Sequence, residues 1–179
     1  MQDLAWIRLG DYLRETQLLG SIQSALYWDQ NTKMPASGAP WRGEQLKLLA
    51  KTLHARQSSN VFEDLLSEAN LELSSNSGKL EKIQLIERKR NLELLDQEFK
   101  RQKSLDSELI GEIATAKAIG YSLWQQAKSL KDFSCFAPAL RKLVLLRQEQ
   151  SRQLNESRSC WETLAQPFEP DLTKKRLQE

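Results

Sequence analysis

The sequence predicts an all-α protein, an antiparallel bundle of about six helices, and three observations carry that expectation. Leucine dominates the apolar residues while valine occurs only at Val61 and Val144, a bias toward unbranched side chains that favours helices and starves strands. Apolar residues recur in steps of three and four along most of the chain, the spacing of one helix face. The stretches between them are short and rich in Ser, Asn, Gly and Pro, which punctuate helices. At 179 residues the chain suits one helical domain or a large piece of one.

The elements follow in order. Trp6, Leu9, Leu13, Ile22 and Leu26 predict a first amphipathic helix to about Tyr27, slightly weakened by Gly10 and Gly20. Residues 29–40 change to Asp, Asn, Thr, Pro, Ser and Gly and read as the first loop. Pro40 suits a first helical turn, and Leu46, Leu49, Ala50 and Leu53 predict a second helix ending near Ser58 and Ser59. Asn60 with Glu63 resembles a capping box for a short third helix burying Phe62, Leu65, Leu66 and Ala69. The run SSNSG at 74–78 reads as a polar linker, dividing helices 1–73 from the longer ones of 79–179.

Leu80 to about Lys103 predicts a long charged helix with Leu85, Leu92, Leu95 and Phe99 on one side. Between Lys79 and Lys103 eight basic and five acidic residues interleave, the pattern of a solvated face rather than a phosphate-binding strip. Asp106 or Ser107 suits the cap of the next helix, with Leu109, Ile113, Ala116, Gly120, Leu123 and Ala127 inward. Asp132 or Ser134 opens the last long helix near Pro138, with Phe136, Leu140, Leu143 and Val144 inward. Trp161, Leu164 and Phe168 form a terminal apolar group, and Asp171 precedes the start of another helix. No signature recurs at a fixed period, so a solenoid is not expected.

Composition excludes several functions. A net charge of +2, from 26 basic and 24 acidic residues, gives no electrostatic argument for nucleic acid or anionic lipid. No run approaches the length of a membrane span, and no secretory leader is recognisable, so the expected compartment is the cytoplasm. With His54 as the single histidine, H-E-x-x-H cannot form; His54 reads as a packing residue or a helix-end hydrogen-bonding group. Cys135 and Cys160 are too few for a disulfide framework, and near the ends of one helix they would lie ~38 Å apart. Neither carries a cysteine-protease signature beside it. The scattered glycines match no phosphate loop. Trp28 and Trp41, which bracket the first loop beside Arg42, read as core anchors, the alternative being a binding rim.

The run SALYWDQNTKMPASGAPWRGEQLKLLAKTLHARQSS resembles the amino-terminal signature of the carboxypeptidase Taq family of zinc metallocarboxypeptidases, with its W-D-x-x-T-x-M-P and R-x-x-Q segments. SLWQQAKSLKDFSCFAPALRKLVLLRQEQ is similar to the family's W-x-x-A-[RK] and D-F-x-x-F-x-P-x-L segments, and WETLAQPFEPDLT to its L-x-x-x-[YF]-E-P segment. The matching positions are Trp28, Asp29, Thr32, Met34, Pro35, Arg42, Gln45, Trp124, Asp132, Phe133, Phe136, Pro138, Glu169 and Pro170, with structural or groove-lining roles. The resemblance implies a cytoplasmic, mainly helical, usually homodimeric enzyme that removes carboxy-terminal residues from peptides. Its zinc is held by H-E-x-x-H and a downstream glutamate. This chain matches the helical portion that covers the groove and carries no catalytic residue, zinc ligand or cofactor site of its own. Expected partners are peptide substrates for the complete enzyme, and a catalytic portion or a second copy for the helices. The competing expectation is a helical protein-interaction module of the same ancestry.

Overall fold

The computed structural model describes residues 3–155, 157–170 and 172–178, with the backbone alone for Lys79. Among them the chain is all-α, as the sequence predicts, with no strand. Six long helices, α1 (Leu4–Thr32), α2 (Ala39–Gln57), α3 (Asn60–Asn76), α4 (Lys82–Lys103), α5 (Ser107–Leu130) and α6 (Ala137–Leu154), are followed by the short α7 (Cys160–Ala165) and α8 (Lys174–Gln178). The chain divides into two compact units, Met1–Ala25 with Thr52–Lys103, and Leu26–Lys51 with Ser104–Glu179.

The first unit packs α3 on α4 around Leu9, Phe62, Leu65, Leu66, Ala69, Leu92 and Phe99, with Trp6, Tyr12 and Leu13 against them. Tyr12 stacks on Phe62 at 5.6 Å, and Phe99 meets Phe62 edge-on at 5.9 Å. The Tyr12 hydroxyl donates to the Arg56 carbonyl at 2.8 Å. The Glu72 carboxylate of α3 accepts from the backbone N–H groups of Ala5 and Trp6, supplying partners for donors that the first turn of α1 leaves orphaned. Buried His54 uses Nε2 in a 2.9 Å hydrogen bond with the Gln102 carbonyl, the helix-end role its sequence position suggests.

The second unit centres on Leu46, Ala50, Ala114 and Ala118, with Leu26, Tyr27 and Ile110 packed against them. Small residues bring the helices close: a Cβ at Gly43 would lie 3.3 Å from Thr115 Cγ2, and one at Gly120 3.1 Å from Leu143 Cδ1. Asp106 caps α5, its carboxylate accepting from the N–H groups of Glu108 and Leu109 at 2.8 and 3.1 Å. At the other end Lys131 sits in the left-handed region, φ 55°. The Lys131 N–H reaches the Lys128 carbonyl and the Asp132 N–H the Ala127 carbonyl, closing the helix as a glycine commonly does.

Several boundaries differ from those the sequence predicts. Asp29–Thr32 is the last turn of α1, where the Thr32 hydroxyl donates to the Trp28 carbonyl at 2.7 Å, so the loop shrinks to Lys33–Pro35 before the 3-10 turn Ala36–Gly38. Ser59 replaces Asn60 as the cap of α3, accepting from the Phe62 N–H. Ser74–Asn76 prolong α3 and Ser77–Lys79 form a 3-10 turn; the Ser74 and Ser75 hydroxyls donate to carbonyls one turn back, so this polar run is helical in its local structure. Asp132 caps the 3-10 turn Phe133–Cys135 rather than α6 itself, which starts with Pro138 in its first turn. Ile22, Leu140, Val144, Trp161 and Phe168 are exposed instead of inward. Asp171 lies outside the described residues.

Candidate functional site

The motif residues gather in two places, both in the second unit. The first is the corner between α1 and α2. The Asp29 carbonyl ends α1 by accepting from the N–H groups of Lys33 and Met34. Pro35 precedes the 3-10 turn, and Met34 lies against Gly38, where a Cβ would come within 3.1 Å of its Cγ.

Arg42, one turn into α2, reaches back across the corner. Its Nη2 pairs with Asp29 Oδ2 at 2.5 Å, its Nη1 donates to the Leu26 carbonyl, and its Nε donates to Gln45 Oε1 at 2.9 Å. The guanidinium satisfies three acceptors with its planar fork, which an ammonium does not reproduce. Its side chain is 9% exposed, against 40% for Asp29.

Trp28 and Trp41 point the other way, 62% and 72% exposed. The core-anchor expectation for them is overturned, because Leu46 and the alanines of α5 already fill the interior. Arg42, which only the alternative reading placed at a rim, is the buried member. Thr32 and Pro35 are exposed and Met34 is half-buried. The corner is thus a clamp with two tryptophan faces left open to solvent.

The second place follows α5. Asp132 accepts from the Ser134 N–H at 2.9 Å, and hydrogen bonds from Ser134 and Cys135 hold its carboxyl below the ordinary carboxylate range. Phe133 and Phe136 meet edge-on at 6.1 Å. With Trp124, Ala127, Lys128 and Lys131 they line an open cleft of about 270 Å³. Lys128 Nζ lies 5.3 Å from the Trp124 ring centroid, a cation–π contact. Aromatic walls with two ammonium groups at the edge suit an apolar group that carries negative charge. Pro138 is exposed at the start of α6, and Glu169 and Pro170, exposed in the turn after α7, belong to neither cluster.

A depressed carboxyl stabilises the fold above its unfolded pKa and loses that contribution as pH falls through the folded value. Stability is therefore expected to decline below about pH 4, with Asp132 contributing. In Asp132→Asn the thermal midpoint should depend less steeply on pH between 5 and 2; an unchanged slope would remove Asp132 from the acid transition.

Three contributors carried no signal in the pattern. Gln30 is 5% exposed, and its Nε2 donates to the Ala118 carbonyl at 2.8 Å, tying α1 to α5. It occupies an unspecified position of W-D-x-x-T. Lys128, in the last turn of α5, and Lys131, at its left-handed C-cap, line the cleft. Nearby in the same unit, burial raises the Tyr27 hydroxyl pKa and lowers that of Lys117, whose Nζ lies 5.5 Å from the Tyr27 ring centroid; the positive charge of Arg147 lowers both.

The donor set does not fit a zinc ion. Among the described residues no three His, Cys, Asp or Glu side chains converge as metal ligands, His54 is engaged with a carbonyl, and Cys135 and Cys160 are separate free thiols.

A sequence profile of the family described as "Carboxypeptidase Taq (M32) metallopeptidase" matches residues 8–179. Thermostable carboxypeptidase 1 of Thermus thermophilus is 26% identical over 152 residues, which cover 85% of this chain and 29% of that protein. Carboxypeptidase 1 of Bacillus subtilis is 24% identical over 170 residues, 93% of this chain and 32% of that protein. The solved structure described as "BsuCP Crystal Structure" superposes with a TM-score of 0.85 at 22% identity, covering 98% of this chain and 34% of that one. A Pyrococcus furiosus carboxypeptidase structure gives 0.70 at 23% identity, over 100% of this chain and 34% of that one. These structures share the fold, and this chain spans about a third of their length.

Proposed function

The chain belongs to the carboxypeptidase Taq (M32) metallopeptidase family, and from that premise we propose that it is the amino-terminal, groove-covering helical region of a metal-dependent enzyme that removes carboxy-terminal residues from peptides. The observation that carries this reading is the family match over residues 8–179, combined with a span of only 29% and 32% of the Thermus and Bacillus relatives. The zinc chemistry belongs to family segments that these 179 residues do not match. With one histidine the chain cannot build H-E-x-x-H, and its own residues contribute framework: Arg42 closes the corner and Gln30 fixes α1 on α5. The compartment proposed is the cytoplasm. Among the described residues no helix is long and apolar enough to cross a membrane.

Purified and supplied with zinc, the 179-residue chain is expected to release no carboxy-terminal residue from blocked peptides. Turnover that persists through repurification and disappears with a chelator would overturn the assignment of catalysis to other segments. Reading the coding DNA past the Glu179 codon tests the remainder: an in-frame H-E-x-x-H supports the enzyme reading. An immediate stop favours the second reading, a non-enzymatic interaction module, to which the open faces of Trp28 and Trp41 give specific support as docking aromatics.

A further inference from the structure

The cleft at the end of α5 carries positive charge that the fold does not use. Residues 113–148 contain six basic residues and one acid, Asp132. Two of the six, Lys128 and Lys131, line the cleft with Trp124, Ala127, Phe133 and Phe136, and no carboxylate belongs to that lining. Among the described residues the lysines held in ion pairs are Lys51, Lys100 and Lys103, not these two. Asp132 is committed to its own turn, where its carboxylate accepts from the Ser134 N–H at 2.9 Å and from the Cys135 thiol at 3.6 Å. Lys128 lies over the Trp124 ring, 5.3 Å from its centroid, a contact that leaves the cation's charge uncancelled.

Lys131 stands in the cleft against a backbone penalty. Among the described residues it is the sole non-glycine at positive φ, with φ 55° and ψ 32°. The left-handed region disfavours any residue with a Cβ, and glycine is its usual occupant after a helix. Glycine would close α5 through the same backbone hydrogen bonds without that penalty. What lysine adds at this position is an ammonium group at the cleft, and strain of this kind gathers at ligand sites.

The two kinds of lining define the chemistry of the occupant. Phe133 is 63% exposed and meets Phe136 edge-on, which leaves a platform for a flat ring. Side chains three residues apart are neighbours on a helix, so the two ammonium groups match two negative charges placed close together. A carboxylate brings one charge, whereas a phosphate monoester brings about 1.5 to 2 at pH 7, with three acceptor oxygens.

We propose that this cleft binds a small aryl phosphate monoester, its ring on Phe133 and its phosphate between Lys128 and Lys131. The assignment goes beyond the peptidase reading, since it requires neither a metal nor a peptide, and its test measures binding rather than hydrolysis.

Titration calorimetry of the full chain at neutral pH should show phenyl phosphate binding at least about tenfold more tightly than benzoate, which lacks the second charge. It should exceed inorganic phosphate, which lacks the ring, by a similar factor. Lys128→Gln and Phe133→Ala should each weaken phenyl phosphate by about tenfold or more. Lys131→Gly separates binding from folding: its thermal midpoint should hold or rise as the strain is relieved, while its affinity falls by about tenfold. No binding of phenyl phosphate overturns the proposal. Equal binding of benzoate or inorganic phosphate does so too, as does a Lys131→Gly chain that keeps its full affinity.

Discussion

Arg42→Ala is expected to lose about 2–3 kcal/mol of stability, read as a lower urea midpoint. Removing one member of a buried ion pair costs about 3–5 kcal/mol where both charges are dry; here the Arg42 side chain is 9% exposed but Asp29 is 40% exposed, so water recovers part of the loss. The truncation strips the Leu26 carbonyl and Gln45 Oε1 of their donor as well, and buried acceptors without partners are costly. Arg42→Lys keeps a charge for Asp29 but not the three-way fork, and should lose about half as much. A loss below about 0.5 kcal/mol in the alanine variant, within the range of ordinary surface changes, would show that the corner is held by something other than this clamp.

Leu46→Ala is expected to cost about 3–5 kcal/mol. Leu46 is 0% exposed, and its buried neighbours Ala50, Ala114 and Ala118 have no side-chain length with which to fill the space left behind. Cavity cost grows as the surroundings fail to collapse, which places this site toward the upper part of the range. Leu48→Ala, two residues along the same helix at 68% exposure, should stay within about 0.5 kcal/mol. Comparable effects at the two positions would contradict the assignment of the α2 face that makes the core.

Helices and their buried faces were legible wherever a local signal and a tertiary contact agreed. Asp106 caps α5 as read, and Phe62, Leu65, Leu66 and Ala69 are all buried. Where only periodicity spoke, direction was lost: Ile22, Leu140 and Val144 obey the helical spacing yet face outward, because spacing defines a face and not its neighbour. Turn-forming residues misled at Asp29–Thr32, whose hydroxyl and carboxylate satisfy helix-end and Arg42 partners from within the last turn of α1. The same blindness inverted the corner. The two tryptophans read as core because their bulk is apolar, while burial of Arg42 depends on acceptors at Leu26, Asp29 and Gln45 that meet only after folding.

The division of the chain has a consequence for its birth on the ribosome. Both units are discontinuous, and α1 and α2 each pass from one to the other. The first unit is complete once Lys103 has left the exit tunnel, while Leu26–Lys51 still waits for α5. At about 5–20 residues per second, the interval from Lys51 to Leu130 lasts roughly 4 to 16 s, and Leu46 has no covering helix during it. The nascent chain thus exposes an apolar α2 segment until α5 emerges, the stretch where a holding chaperone would find its client.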